Sequence, residues 1–278
     1  MGRRKALKLN KLLSSVHRAF CRAFLLLVLG AAITSTRVTA QTITTGQTRV
    51  LLLIDRSGSV HFDVDKAFQR VAEKISTMTK AGDELGVAYI HSQTEANPQR
   101  MTIKAALPSD YESLGGATQS SARMKVQKQL LIERSQMKAT LRKMLTTAAD
   151  AKTQESSDVW GSLATMDAFF NNASIADNCV VFIISDLIES MPGKGRRDFH
   201  RQHPMNDAAY LRGLSVADVP KIRSIYGLNG KMPLARVDQL AVLFPASGVQ
   251  QSQNNAMTQY WTTVFELLGL PRQRLLFQ

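Results

Sequence analysis

Two apolar runs in this sequence end in a carboxylate. Val50-Leu51-Leu52-Leu53-Ile54 stops at Asp55, which is followed by Arg56-Ser57-Gly58-Ser59, and Val180-Val181-Phe182-Ile183-Ile184 stops at Ser185-Asp186. Aspartate and serine are hard oxygen donors, and Gly58 lets the backbone turn tightly between the two serines. Asp55, Ser57 and Ser59 can therefore converge on one point, and a divalent cation is the natural occupant. If Asp186 joins them, two carboxylates meet in a partly dry crevice and repel one another, a problem that a cation removes. Mg²⁺ is the expected ion, with Mn²⁺ or Ca²⁺ as alternatives, and such a site leaves a coordination position for an oxygen from outside.

The elements that must hold these groups follow from the apolar pattern. A branched apolar run without alternation is what a strand covered on both faces requires, so Arg49–Asp55 and Val180–Ile184 read as buried strands. Beyond Ser59, Val64, Phe68, Val71, Ile75 and Met78 recur at steps of four and three and predict a helix with one buried stripe. Leu85–Ile90 predicts a second strand, Met101–Leu107 a third, and Arg236–Phe244 another. A long helix is expected over about 120–149, with Leu130, Met137, Leu141, Met144 and Ala148 on one face. Val159, Leu163, Met166 and Phe170 mark a further helical stripe. It is preceded by the hydroxyl-rich Thr153-Gln154-Glu155-Ser156-Ser157-Asp158, where a serine or aspartate also suits a helix cap. A Gln- and Asn-rich loop over 250–255 is expected to lead into a last helix carrying Met257, Trp261, Val264 and Leu268. Strands and helices alternate, which predicts an α/β fold with a mostly parallel, doubly wound sheet and helices on both faces. Loops leaving the C-terminal strand ends of such a sheet share one crevice, so Asp186 can lie beside Asp55.

With these pieces in place the chain resembles the von Willebrand factor type A domain with its metal-ion-dependent adhesion site. The resemblance rests on Asp55-x-Ser57-x-Ser59 after an apolar strand, a hydroxyl before a later helix, and Asp186 after a second apolar strand. It covers roughly residues 49–268. It implies the Rossmann-like fold of that family and a fifth ligand from the middle loop. The family's Thr-x-x-x-x-Ala-Leu pattern aligns best with Ser157-Asp158-Val159-Trp160-Gly161-Ser162-Leu163, which makes Ser157 the ligand, with Ser156 and Thr153 as substitutes. Ser185-Asp186-Leu187 stands where the family commonly has Thr-Asp-Gly, so the turn after Asp186 is expected to differ.

The remaining features bound where and with what the protein works. The formal charge is +13, yet eight of the 35 basic residues and none of the 22 acidic ones precede position 41. Without residues 1–40, 27 basic side chains face 22 acidic ones, and the nucleic-acid signature disappears. That segment has the order of an export signal: a basic region to Arg22, an apolar core from Ala23 to Ile33, and Val38-Thr39-Ala40 before Gln41. A signal peptide or N-terminal anchor over 1–40 is expected, with a single domain over 41–278 that carries insertions at about 108–152 and 190–233. The location is then periplasmic or secreted. Cys179 reads as a small buried hydrophobe.

The resemblance implies a binding module, not an enzyme, in which the bound metal accepts a carboxylate oxygen from a protein partner in envelope assembly or interaction. The basic run containing Lys194, Arg196 and Arg197 follows Asp186 closely and is expected to favour such acidic partners. Two rivals share the fold: a metal-assisted hydrolase, disfavoured by the lack of a Gly-x-Ser-x-Gly elbow or Walker-type loop, and a metal-independent scaffold.

Overall fold

The run Thr48–Asp55 forms strand β1, and its side chains alternate between two apolar layers. Leu51 and Leu53 enter one core, while Val50, Leu52 and Ile54 enter the other. All five are fully buried, which contributes about 1.5–3 kcal/mol for each large aliphatic side chain. This is why the strand needs no polar face. A computed structural model describes residues 46–94, 97–150, 156–193, 195–228, 230, 232–244 and 251–278, excepting the side chains of 251–254. The expected signal segment, Thr153 and Lys194 lie outside the described residues, which belong to one compact unit.

After β1 come α1 (Val64–Thr77), β2 (Glu84–Ile90), β3 (Gln99–Thr102), α2 (Gly116–Asp150), α3 (Gly161–Phe170) and β4 (Asn178–Ile184). The chain then continues through α4 (Ala208–Tyr226), β5 (Gln239–Leu243), α5 (Gln251–Leu267) and β6 (Leu275–Phe277). The strands form one six-stranded sheet in the order β3-β2-β1-β4-β5-β6, parallel throughout except for the antiparallel pair β2–β3. Helices α1 and α2 cover one face; α3, α4 and α5 cover the other. The expected α/β architecture, a mostly parallel sheet sandwiched between helices, is present. No helix among the described residues is long and apolar enough to cross a membrane.

Two local expectations are corrected, and one strand is added. The third strand occupies Gln99–Thr102 and not Met101–Leu107, because beyond Ile103 the backbone N–H groups of Lys104 and Ala105 turn to Glu133 on α2 instead of a strand. The Gln- and Asn-rich stretch from Gln251 is already the first turn of α5. A sixth strand, three residues long, follows Pro271 and pairs parallel with β5. Residues 208–226 supply the crossover helix between the parallel strands β4 and β5. Cys179 is buried in β4, and burial pushes its thiol up to about 12, assisted by Asp238 and Asp177.

What matters for function is where the strand order reverses. From β1 the chain winds outward through β2 and β3, then returns to place β4 on the other side of β1. The C-terminal ends of β1 and β4 therefore flank the switch point of the sheet, where open α/β sheets place their ligands.

Candidate metal centre

Asp55 is the last residue of β1 and is held there by two strands at once. Its neighbour Arg56 donates its backbone N–H to Ile90 at the end of β2 (3.0 Å), and the register of β1 on β4 pairs Ile54 with Ile184. The backbone N–H of Ser57 donates to Asp55 Oδ1 (2.8 Å), closing the chain into a turn at the strand end. Helix α1 then starts immediately, capped by Asp63, whose carboxylate accepts the N–H groups of Asp65 (2.9 Å) and Lys66 (3.0 Å). The loop carrying the serines is therefore short and anchored at both ends.

All five expected donors meet. Ser157 Oγ donates to Asp55 Oδ2 at 3.1 Å, across 102 residues of sequence. Ser59 Oγ donates to Asp186 Oδ2 at 2.8 Å, and the Ser57 and Ser59 hydroxyls lie 3.3 Å apart. Asp55, Ser57, Ser157 and Asp186 are buried, and Ser59 is half-buried, so the cluster reaches solvent on the Ser59 side.

Ser185 joins the cluster without having been expected there. Ser185 Oγ donates to Asp55 Oδ2 at 2.6 Å and accepts the N–H of Leu187 at 2.8 Å. The signal for it was its position one residue before Asp186, but that signal acquires meaning only once β4 is known to lie beside β1, with Ile184 opposite Ile54.

The turn after Asp186 solves a conformational problem without glycine. Leu187 has φ 60°, the left-handed region, which costs a leucine about 1–2 kcal/mol. It is held there by complete burial, by its N–H on Ser185 Oγ, and by its carbonyl, which accepts the indole N–H of Trp261 at 2.8 Å. This turn aims the N–H of Ile188 at Asp186 Oδ1 (3.0 Å) and leaves Oδ2 toward Ser59.

Electrostatics mark the same place. Burial pushes the Asp55 carboxyl up to about 6, and the charge of Asp186 pushes in the same direction against the hydrogen bonds from Ser185 and Ser57. Asp186 is raised as well, by burial, against the opposing N–H of Ile188, the hydroxyl of Ser59 and nearby His200. Two mutually repelling buried carboxylates with serine hydroxyls form a hard, all-oxygen donor set of charge −2, which fits Mg²⁺, Mn²⁺ or Ca²⁺. Asp55, Ser57, Ser59, Ser157 and Asp186 are the residues that would hold the ion. Among the described residues, no group of three or more His, Cys, Asp and Glu side chains could hold a metal, so the candidate depends on its hydroxyls.

Two arginines of the basic run turn toward the protein. Arg196 points inward and pairs with Asp158 (2.7 Å) and Glu189, and Arg197 forms a two-pronged ion pair with Asp218 at 2.7 and 2.9 Å. Buried carboxylates require a cationic partner, and these two guanidinium groups supply it. Both arginines thus have internal carboxylate partners in this structure. Comparison of the chain with models of known protein families and with curated proteins finds no match.

Proposed function

We propose that the chain is a metal-dependent binding module of the von Willebrand factor type A kind, acting outside the cytoplasm. A divalent cation held by Asp55, Ser57, Ser59, Ser157 and Asp186 accepts a carboxylate oxygen from a protein partner. The observation that carries this reading is the convergence of five oxygen-bearing side chains from three separate stretches at the switch point of the sheet. Two of them are carboxylates held above their ordinary range, both by burial and Asp55 also by the charge of Asp186. A cation relieves that repulsion, and the half-buried Ser59 marks the side from which an outside oxygen arrives. The rigid sheet fixes the ion, while the loops around it set which partner is accepted.

The test is affinity capture from envelope extract with the protein immobilised in Mg²⁺. The reading predicts a partner that is retained in Mg²⁺, released by chelator, and absent from an Asp55→Ala column. Capture indifferent to chelator contradicts it, and turnover of a substrate at the site would replace binding by catalysis.

A further inference from the structure

Ser157 belongs to no helix or strand, yet its hydroxyl must meet Asp55. Its position is set by the residues immediately around it. The N–H of Ser157 donates to Ser190 Oγ (2.7 Å) and its carbonyl accepts the N–H of Ser190 (3.0 Å). The N–H of Asp158 donates to the carbonyl of His91 (3.0 Å), and Thr94 Oγ1 donates to the carbonyl of Asp158 (2.7 Å). The carboxylate of Asp158 is a hub: Oδ1 accepts the N–H of Gly161 (2.9 Å), the Tyr226 hydroxyl and Arg196 Nη2 (2.7 Å). Glu189, fully buried, accepts the N–H of Trp160 on Oε2 (2.9 Å) and Arg196 Nη2 on Oε1.

Among the described residues, Arg196 is the side chain that pairs with both carboxylates. Its guanidinium lies over the rings of Trp160 and Tyr226, 5.4 Å from each centroid. It is delivered by a hairpin in which Ser190 bridges Asp198, Met191 N–H bonds the Arg197 carbonyl (3.1 Å) and Phe199 N–H bonds the Glu189 carbonyl (2.8 Å). The turn uses Gly193 and Gly195 at φ 135° and 86°, values that glycine adopts without strain. The same hairpin thus presents Ser190 to the backbone of Ser157 and Arg196 to the side chain of Asp158.

We propose that Arg196 is the positioning residue of the metal centre: by clamping Asp158 and Glu189 together it holds the middle loop so that Ser157 faces Asp55. The inference rests on the metal-binding reading above for its consequence, but the clamp itself is a property of the protein without metal. Arg197 provides a matched comparison. It sits on the same hairpin and forms an equally close ion pair, but with Asp218 on α4.

The experiment uses the whole chain and three variants, Arg196→Met, Arg196→Lys and Arg197→Met. Two readouts are taken: Mn²⁺ affinity by calorimetry, and hydrogen exchange of residues 156–163 without metal. Arg196→Met should weaken Mn²⁺ binding about 10- to 100-fold, as loss of a group that orients a ligand does, and should speed exchange over 156–163. Arg196→Lys should recover part of both effects. Arg197→Met should lower thermal stability yet leave Mn²⁺ affinity and exchange at 156–163 at wild-type values. Wild-type Mn²⁺ affinity in Arg196→Met, or equal losses in both methionine variants, overturns the proposal. If the wild type itself binds no Mn²⁺, the metal reading fails, and exchange at 156–163 still decides whether Arg196 is the clamp. Should Arg196→Met not fold, Tyr226→Phe removes one donor from Asp158 and must shift the same readouts in the same direction; unchanged values there overturn the clamp.

Discussion

Asp55 and Asp186 are carried by β1 and β4, neighbouring strands whose apolar side chains are buried on both faces, whereas Ser157 is carried by a stretch with no regular structure. The strand-borne half is fixed by backbone pairing and by apolar area, two features that a linear sequence displays. The loop-borne half is fixed by a buried polar network whose members, His91, Thr94, Glu189, Ser190, Arg196 and Tyr226, come from distant parts of the chain. The difference teaches that a donor set can be assembled from one rigid, locally encoded side and one side that exists only through tertiary contacts. The two sides should respond differently to perturbation.

The largest effect is expected on the strand-borne side, as a dependence of stability on pH. The Asp55 carboxyl is pushed up to about 6, above its value in the unfolded chain, so the folded state holds the extra proton. The resulting stabilisation is fully present below about pH 4 and is lost as pH rises through about 6, amounting to roughly 3 kcal/mol. Urea denaturation of the metal-free wild type and of Asp55→Asn from pH 4 to 7 isolates this contribution. The wild type should lose stability relative to the variant across that range, and added Mg²⁺ should restore it above pH 6. A constant difference between the two would mean that the carboxylate is not confined in a dry site.

A smaller effect is expected on the loop-borne side. A Cβ added at Gly161 would stand 2.6 Å from Asp158 Oδ2 and 3.0 Å from Thr94 Cβ, so the hub carboxylate must shift. Gly161→Ala should cost about 1–3 kcal/mol in denaturation, in the range of overpacked cores. It should also weaken Mn²⁺ binding while leaving the pH response of Asp55 in place. Loss of that pH response would show that the two sides are not separable.

The smallest effect concerns the left-handed turn after β4. Leu187→Ala and Leu187→Gly both remove the buried side chain, but only glycine takes φ 60° without strain. The glycine variant should therefore be the more stable of the two by about 1 kcal/mol, reversing the usual preference for alanine. If alanine is the more stable, the turn is not strained and the β4 end is held by burial alone.

Legibility in the sequence followed the same division. The unbroken apolar runs ending at Asp55 and Asp186 locate both carboxylates, because short runs rich in branched apolar residues suit a strand covered on both faces. The stripe from Val64 to Ile75 placed α1 for a similar reason. Ser157 was reached only through the spacing shared with a known family, since a hydroxyl before a helix equally suits a cap. Ser185 went unassigned because its partner, Asp55, is 130 residues away and becomes adjacent only through the β1–β4 register. The ion pairs of Arg196 and Arg197 are not legible in the sequence, because a basic cluster does not reveal that Asp158, Glu189 and Asp218 wait inside. The third strand was misplaced and the sixth missed because both are short edge strands, four and three residues long, with too little pattern to mark them.

The central claim is that Asp55, Ser57, Ser59, Ser157 and Asp186 together hold one divalent cation. Calorimetric titration of Mg²⁺ and Mn²⁺ into the wild type at pH 7.5, repeated with Asp55→Ala, tests it most directly. The account predicts one saturable site in the wild type and none in the variant; no binding in the wild type, or unchanged binding in Asp55→Ala, would contradict it.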